Sequence, residues 1–259
     1  MAKMRAVVLA AGRGIRMGGA TSKTLIPLGD REGDQEPMLY YILTGLHRAG
    51  ITDLMVVTGF ASQDVEDFVT EHWKGNEPKF VFNARYASWG NFHSVRVALD
   101  QSPGADALIV NCDVLVHPDV YRRVAEAPGA LVLAVQRRRR LDDEDMRVRL
   151  KGDRVISIGK DLRMSLSDGE FSGVSLIRSE AARAYLDIAT DSEWTSDTDG
   201  YYEGVYAAML SAVDSRAVDV KDDEYAEVDE PADVAAAQRV IEAHRQAWSN
   251  EPETAGERT

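Results

Sequence analysis

Residues 9–18 read Leu9-Ala10-Ala11-Gly12-Arg13-Gly14-Ile15-Arg16-Met17-Gly18 and follow directly on a short apolar run, Met4 to Leu9. A continuous apolar run bounded by glycine is typical of a strand that is buried on both faces of a parallel sheet. Glycines at the end of such a strand let backbone N–H groups approach a phosphate chain closely. The stretch therefore predicts a phosphate-binding loop whose nucleotide-binding residues include Leu9, Ala10, Ala11, Gly12 and Gly14.

The spacing of the glycines excludes two common phosphate-binding motifs. Met17 stands where the third glycine of the dinucleotide fingerprint G-x-G-x-x-G belongs. A P-loop is excluded because the residue before Lys23 is not glycine. What the loop adds is fixed positive charge: we expect Arg13, Arg16 and Lys23 to surround a triphosphate and to stabilise charge on a departing pyrophosphate. The alternative is a glycine-rich turn with solvated arginines.

Strands and helices alternate outward from this loop. Strand patterns lie at Leu54 to Val57, Lys79 to Phe82 and Ala107 to Val110, with helical patterns between them. Alternation of this kind predicts parallel βαβ units with right-handed crossovers. We therefore expect residues 1–125 to form a Rossmann-like, doubly wound α/β sheet that binds a nucleotide.

The pattern changes after Ala130 to closely spaced strands. They are predicted at Leu131 to Val135, Met146 to Leu150, Val155 to Ile158 and Phe171 to Ile177, and charged or glycine-containing turns between them predict hairpins. Helices are expected from Glu180, from Tyr201 and from Pro231 to Ala247. The chain is thus predicted to be one domain over 1–250, with a nucleotide-binding half at 1–125, an acceptor-binding half at 126–250 and a disordered tail at 251–259.

Composition excludes several classes of protein. The chain has 259 residues with 30 Lys+Arg against 43 Asp+Glu, a net charge of −13, which argues against a protein that binds nucleic-acid backbones. Its longest apolar run, Ala6 to Ala11, falls short of the roughly 20 residues that a membrane span needs. The single cysteine, Cys112, cannot form an internal disulfide, which fits a reducing compartment. We therefore expect a cytoplasmic protein that binds neither nucleic acid nor membrane.

The loop also resembles a known signature. The string Leu-Ala-Ala-Gly-x-Gly-x-Arg-Met followed by Lys23 is similar to the loop of the nucleotidyltransferases that join a nucleoside triphosphate to a sugar phosphate or a related phosphate ester. The resemblance implies that Lys23 and Arg16 contact the triphosphate, while Arg13 occupies a more variable position. It also implies a mixed sheet of the nucleotidyltransferase type, with a small β-hairpin subregion that binds the acceptor.

Carboxylates for a metal ion lie in two places. Asp113 comes just after the strand that ends at Val110, at the edge where open α/β sheets bind ligands, and Asp229 lies near the end of the chain. The resemblance implies that these two residues are the ligands of Mg²⁺, which prefers carboxylates and water. Glu227 shares a face with Asp229 if the segment is extended, and is a third candidate. The alternatives are a turn residue at Asp113 and a helix N-cap at Asp229.

A second resemblance concerns the donor. Residues 82–94 resemble the Asn-x-x-Tyr…Asn-x-x-Ser segment of bacterial phosphocholine cytidylyltransferases and of their relatives that act on phosphonates; residues 169–173, 199–203 and 227–229 match as well. The resemblance implies that CTP is the donor, with Tyr86, Asn91, Ser94 and Asp113 as further nucleotide-binding residues. Asn91 and Ser94 are expected to begin a helix whose N-terminus faces phosphate or nucleotide. The alternative makes Ser94 an ordinary first-turn residue and Tyr86 a core residue.

The acceptor is predicted from an arginine run, Arg137 to Arg140. Arginine forks bind phosphonate and carboxylate oxygens bidentately, which favours a doubly anionic acceptor such as phosphonoformate or a related carboxy- or hydroxymethyl-phosphonate. The candidate acceptor-binding residues are Arg138, Arg140, Lys160 and Glu203. Two alternatives stay open: a solvated hairpin with weak surface ion pairs, and a choline-binding cage built from Trp194, Tyr201 and Tyr202.

These observations together predict a Mg²⁺-dependent cytidylyltransferase that transfers CMP from CTP to a small phosphonate, with phosphonoformate or a related carboxy- or hydroxymethyl-phosphonate as the first choice, and releases pyrophosphate. The first alternative is a phosphocholine or aminoethylphosphonate cytidylyltransferase. The others are a sugar-phosphate nucleotidyltransferase that uses another nucleotide, and a nucleotide-binding protein without catalysis. The oligomeric state stays open, with a homodimer as one option.

Overall fold

The strands of the first half form a parallel sheet around the strand that precedes the glycine-rich stretch. The computed structural model describes residues 3–14, 22–28, 35–138, 141–191, 194 and 198–248. In it β1 (Met4–Ala10) lies between β2 (Leu54–Thr58) and β4 (Asp106–Asn111), and β2 also pairs with β3 (Lys79–Phe82). All these pairings are parallel. The core of β1 is fully buried, as its apolar run predicts for a central strand.

Helices cover both faces of this sheet, which makes the fold doubly wound. The helices of the first half are α1 (Met38–Arg48), α2 (Ser62–His72), α3 (Phe92–Asp100) and α4 (Pro118–Glu126). Buried residues of α1 pack with Ala6 and Val8 on one face. Buried residues of α3 pack with Val7 and Leu9 on the other face. Because successive side chains of a strand point to opposite faces, each apolar residue of β1 contributes to one of the two cores.

The second half adds five strands to the same sheet, with parallel and antiparallel pairings among them. These are β6 (Leu131–Gln136), β7 (Arg147–Lys151), β8 (Arg154–Gly159), β9 (Gly169–Ile177) and β10 (Ser215–Val220). Nine of the eleven described strands form one sheet in the order β3-β2-β1-β4-β9-β6-β10-β8-β7, in which β9 is antiparallel to β4 and to β6. The predicted mixed sheet is therefore confirmed.

The predicted hairpin is β7–β8, and it closes back onto the sheet. Gly152 lies in its turn with a φ of +68°, a conformation that favours glycine. Arg147 at the start of β7 pairs with Glu170 at the start of β9, while Arg154 of β8 pairs with Arg216 of β10. The hairpin therefore borders the amino-terminal end of β9, where Glu170 lies.

The last part of the chain contributes a carboxylate-bearing strand to a separate two-stranded ribbon. After α5 (Ser179–Ala189) and α6 (Tyr202–Met209), β11 (Tyr225–Glu227) pairs with β5 (Val114–Val116) in an antiparallel ribbon, and the Val228 N–H donates to the Asp113 carbonyl (2.9 Å). The ribbon places the segments around residues 113 and 229 side by side, although they are far apart in sequence.

The sequence predicts one continuous final helix, but the structure divides this segment into three elements. A 3₁₀ turn (Pro231–Asp233) leads into α7 (Val234–Ala243), the chain bends at His244, and α8 (Arg245–Trp248) follows. The His244 ring contacts the Asp223 carbonyl (3.0 Å) and the His117 ring, and these tertiary contacts accompany the break.

Among the described residues, no helix combines the length and the apolar character that crossing a membrane requires.

Candidate functional site

The glycine-rich stretch borders a cavity at the carboxyl ends of β1 and β4, which we call the first cavity. Its volume is about 430 Å³. Its lining residues are Leu9, Ala11, Gly12, Arg13, Gly14, Lys23, Asn91, Ser94, Asn111, Cys112, Asp113 and Asp229. Open α/β sheets bind ligands at the carboxyl ends of their strands. The fold thus brings to one place most of the residues that the sequence predicts to contact a nucleoside triphosphate.

Gly14 allows the loop and the lysine to approach each other. Its φ is +54°, and a Cβ at this position would lie 2.7 Å from the Cβ of Lys23, which begins a 3₁₀ turn (Lys23–Leu25). A side chain at position 14 would therefore push the lysine away from the loop. Arg13 lies at the mouth of the loop with its guanidinium 5.6 Å from the centre of the Phe60 ring.

Two of the predicted nucleotide-site residues that the structure describes, Ala10 and Tyr86, do not line the first cavity. The Ala10 side chain is buried in the core beneath the loop. Tyr86 packs against the ring of Phe82, with 6.1 Å between ring centres, rather than facing the cavity. Arg16 falls outside the described residues, so its contact with a triphosphate stays a prediction.

Lys23 joins the two predicted metal aspartates. Its ammonium lies 3.1 Å from Asp113 Oδ2 and also pairs closely with Asp229 Oδ1, and the lysine side chain is only 12% exposed. Burial alone would lower the pKa of Lys23, but the two carboxylates outweigh this effect and raise the pKa above its usual value. The ammonium is therefore charged over the whole physiological pH range.

The three carboxylates around Lys23 fit a divalent cation. One ligand atom from each of Asp113, Glu227 and Asp229 lies within 4.8 Å of the others. Asp113 Oδ1 is buried without a hydrogen-bond partner. Burial, together with the charges of Asp113 and Asp229, raises the pKa of Glu227 to about 7. A cluster of oxygen ligands with excess negative charge suits a hard cation such as Mg²⁺, so the residues predicted as metal ligands fit this ion.

A polar network connects the first cavity to α6. Asn91 accepts a hydrogen bond from the Tyr202 N–H (2.9 Å), and Asn111 accepts one from the Tyr202 hydroxyl (2.9 Å). Ser94 accepts from the side-chain amide of Asn83 (2.9 Å). Our sequence reasoning missed Asn111, although a polar residue at the end of the buried strand β4 was a signal that could have identified it.

A second, smaller cavity adjoins the first, and we call it the acidic cavity. Its volume is about 180 Å³. Among the described residues seven carboxylates line it: Asp113, Glu144, Asp145, Glu170, Glu203, Glu227 and Asp229. The lining also includes Lys160 and the aromatic residues Phe171, Tyr201 and Tyr225. The two cavities share Asn91, Asn111, Asp113 and Asp229, so a molecule in the acidic cavity would meet the first cavity at the candidate metal ligands.

Two buried carboxyl groups of the acidic cavity have raised pKa values. Burial raises the pKa of Glu170 to about 8, and the nearby Asp145 adds to this while Arg138 opposes it. Burial raises the pKa of Glu203 to about 7, against hydrogen bonds from its own N–H and from Tyr202. Glu170 Oε2 and Glu203 Oε2 are buried without a hydrogen-bond partner. Sequence reasoning assigned a role to Glu203 but not to Glu170.

Of the described part of the arginine run, neither Arg137 nor Arg138 lines the acidic cavity, and the acceptor-binding role of Arg138 stays a prediction. Arg138 Nη2 lies 3.0 Å from Glu170 Oε2 on the neighbouring strand, where its positive charge opposes the rise in the pKa of Glu170 that burial causes. Arg137 pairs with Asp219 at the surface (2.7 Å). Arg140 falls outside the described residues. Lys160 does line the cavity, with its ammonium 3.2 Å from a Glu144 carboxylate oxygen.

Comparison with known proteins identifies relatives of this architecture. A family model described as a MobA-like NTP transferase domain matches residues 6–143. The chain is 29% identical over 242 residues to the CMP-5'-(3-aminopropyl)phosphonate synthase of Streptomyces rubellomurinus, an alignment that covers 89% of this chain and 37% of that protein. It is 27% identical over 119 residues to the choline-phosphate cytidylyltransferase of Streptococcus pneumoniae, covering 46% of this chain and 48% of that protein. The aligned regions thus span less than half the length of these two relatives.

Solved structures show the same fold. The inositol-1-phosphate CTP transferase from T. maritima superposes with a TM-score of 0.75 at 20% sequence identity, covering 93% of this chain and 98% of that one. The predicted mixed α/β sheet of the nucleotidyltransferase type is therefore confirmed at the level of architecture.

Proposed function

This chain belongs to the family of MobA-like NTP transferase domains, and from that premise we propose that it is a cytidylyltransferase. In this proposal it transfers CMP from CTP to a small phosphonate or phosphate-ester acceptor and releases pyrophosphate. Of the two relatives described above, one is a CMP-5'-(3-aminopropyl)phosphonate synthase and the other is a choline-phosphate cytidylyltransferase.

The observation that carries the proposal is the contact of Lys23 with Asp113 and Asp229 beside the glycine-rich loop. A fixed ammonium and open backbone N–H groups at a strand end suit a triphosphate. The adjacent carboxylates suit a metal ion that a nucleotide-sensing protein without catalysis would not need. The arrangement therefore favours transfer over binding alone.

The reaction follows from the charges of the substrates. An ionised phosphonate or phosphate oxygen of the acceptor attacks the α-phosphorus of CTP, a new P–O bond forms, and the bond to the bridging oxygen of pyrophosphate breaks. Lys23 and Arg13 would stabilise negative charge on the departing pyrophosphate. Asp113, Glu227 and Asp229 would hold Mg²⁺, which when bound neutralises charge on the reacting phosphate. No general base is needed because the nucleophile is already anionic.

We propose that the acceptor carries a positive charge at the end remote from its phosphonate or phosphate. The acidic cavity presents many carboxylates and, among its described lining residues, a single cationic side chain, Lys160. A doubly anionic acceptor such as phosphonoformate, which the arginine run favoured, would bring its second negative charge into this lining. A cationic end would instead be attracted to it.

The test is pyrophosphate release with each donor and acceptor in turn. We expect CTP to exceed UTP, GTP and dTTP, and 3-aminopropylphosphonate, 2-aminoethylphosphonate or phosphocholine to exceed phosphonoformate and glucose 1-phosphate. The variant Lys23→Met should lower turnover by about 100- to 1,000-fold, as for other electrostatic groups at a reacting centre. The matched control is Lys3→Met, which removes an exposed lysine that pairs with Asp53 and should retain activity.

Three outcomes would contradict the proposal. Preference for glucose 1-phosphate with another nucleotide would identify a sugar-phosphate nucleotidyltransferase. Binding of CTP without pyrophosphate release for any acceptor would identify a non-catalytic nucleotide-binding protein. Near-normal turnover of a folded Lys23→Met variant would remove the role of the lysine.

A further inference from the structure

The acidic cavity has the chemistry to distinguish between two kinds of cationic group. A trimethylammonium group has no N–H and is bound by open faces of aromatic rings. A primary ammonium group has three N–H donors and is bound by hydrogen-bond acceptors. A cavity with open ring faces would therefore favour the trimethylammonium group, and a cavity with unbonded acceptors would favour the primary ammonium group.

Two of the three aromatic rings that line the cavity are in contact with cations of the protein itself. The Lys160 ammonium stands over the Tyr201 ring, 5.5 Å from its centre. The Arg138 guanidinium stands over the Tyr225 ring, 6.0 Å from its centre. The third ring, Phe171, is buried against the Tyr202 ring. A trimethylammonium group would have to displace one of these cations to reach the covered face of Tyr201 or Tyr225. The two tyrosines therefore do not form an open aromatic cage.

A hydrogen-bond acceptor, by contrast, is left without a donor. Glu203 is 4% exposed, and its Oε2 has no hydrogen-bond partner. Glu170 Oε2 and Asp113 Oδ1 are also unbonded, but the Arg138 guanidinium lies beside Glu170, and Asp113 pairs with Lys23 and is a candidate metal ligand. The other nearby cation, Lys160, is paired with Glu144. Burying a carboxylate oxygen without a donor is costly, so Glu203 is the group in this cavity that a donor from a ligand would stabilise most.

Resting on the proposed function, we infer that the acceptor carries a primary ammonium group and that Glu203 accepts a hydrogen bond from it. Glu203 is the second residue of α6, and the first residue, Tyr202, donates its N–H to Asn91 at the first cavity. Glu203 is therefore held next to the wall of the first cavity. Glu203 would select primary amines over their trimethylated counterparts.

The test compares acceptors that differ only in methylation of the nitrogen. The pairs are 3-aminopropylphosphonate with its N,N,N-trimethyl derivative, and phosphoethanolamine with phosphocholine. We expect kcat/KM of the wild type to favour the primary amine by about 10- to 100-fold, the range for a hydrogen bond to a charged group. Equal or reversed preference in both pairs would overturn the inference while leaving the proposed function intact.

Variants assign the preference to its residue. Glu203→Gln should raise KM for the primary amine at least about tenfold while KM for CTP stays unchanged, because a charged hydrogen bond is replaced by a neutral one. Glu126→Gln, at an exposed position on α4, is the matched control and should behave as the wild type. If Glu170→Gln abolishes the preference and Glu203→Gln does not, the assignment to Glu203 is wrong.

A second variant tests the aromatic part of the argument even if Glu203→Gln does not fold. Lys160→Met removes the ammonium from the Tyr201 ring, and it should raise relative activity with the trimethyl acceptors. A fall in that relative activity would overturn the argument from the occupied ring faces. Absence of transfer with every acceptor would instead overturn the proposed function, and this inference with it.

Discussion

Glu170 shows how the fold changes the behaviour of a single carboxyl group. It is 4% exposed at the start of β9, and the charged groups that act on it are Arg138, Asp145 and Glu227. Burial outweighs the attraction of Arg138 and raises its pKa to about 8, from an ordinary value of 4.5. Glu170 is therefore largely protonated in the folded protein near neutral pH.

This difference predicts a pH-dependent loss of stability. Between pH 4.5 and about 8 the folded protein holds a proton at Glu170 that the unfolded chain has released, so the free energy of unfolding falls as pH rises. Glu170→Gln removes the titrating group. We expect the urea midpoint of the variant to fall less than that of the wild type over this range.

The control for this prediction is the exposed Glu126→Gln variant, whose urea midpoints should follow the wild type at each pH. The explanation fails if the urea midpoints of Glu170→Gln and of the wild type change with pH by the same amount from acid to weakly alkaline pH. An effect confined to the buried position would confirm that desolvation of the carboxylate is responsible.

At the scale of elements, β9 carries lining residues of the acidic cavity and passes close to the wall of the first cavity. Glu170 and Phe171 line the acidic cavity, and Gly173, two residues later, lies against Asn111 and Val114. Gly173 has a φ of +70° within the strand. Glycine is therefore required both for the backbone conformation and for the close approach of β9 to the segment that carries Asp113.

Gly173→Ala should thus destabilise the fold more than a glycine-to-alanine substitution at a position where the new side chain meets backbone strain but no neighbouring atoms. A Cβ at position 173 would lie 2.9 Å from Val114 and 3.1 Å from the Asn111 amide. Gly104 has a similar φ of +74° but open space around it, which makes Gly104→Ala the matched control. We expect about 1–2 kcal/mol of destabilisation for the control from strain alone, and about 1–3 kcal/mol more for Gly173→Ala from overpacking.

Urea unfolding of both variants checks this prediction, and the affinity for CTP gives a second measurement because Asn111 lines the first cavity. Equal destabilisation by the two alanines would show that the contact at position 173 is relieved without cost.

At the scale of the whole molecule, the net charge of −13 and the charges at the site act differently. The acidic composition disfavours long polyanions. Cations nevertheless line the first cavity, at Arg13 and Lys23, while carboxylates dominate the acidic cavity. Under the proposed function, the phosphates of the nucleotide would lie in the first cavity and the cationic end of the acceptor in the acidic cavity.

Binding of CTP and Mg²⁺ to the folded state should raise the melting temperature of the protein. CTP with Mg²⁺ at one hundred times Kd should stabilise the protein by about 2.7 kcal/mol, which for a chain of this size corresponds to roughly 5–10 °C. Removal of the metal with EDTA should abolish most of the shift, because the phosphate charges and the carboxylates of Asp113, Glu227 and Asp229 then repel one another. An equal shift without metal, or with all four nucleotides, would contradict both the metal site and the preference for cytidine.

Much of this molecule follows from local sequence pattern. Apolar runs bounded by glycine predict the buried parallel strands, because few other structures bury four or five consecutive apolar residues. The candidate ligands Asp113 and Asp229 follow from their positions after a strand and from the family resemblance. The break at His244 was missed, since a contact with Asp223 and His117 has no signature in the helical periodicity.

The amino-acid sequence by itself determined the doubly wound sheet, the glycine-rich loop and the three residues that fit a metal, since each depends on residues close in the chain or on a recurring motif. Only the tertiary structure decided which charges meet. Arg138 lies against Glu170, and the acidic cavity takes its character from carboxylates on separate elements. The physical reason is that a residue's charge is visible in sequence, while its burial and its partner depend on strands and helices far away along the chain.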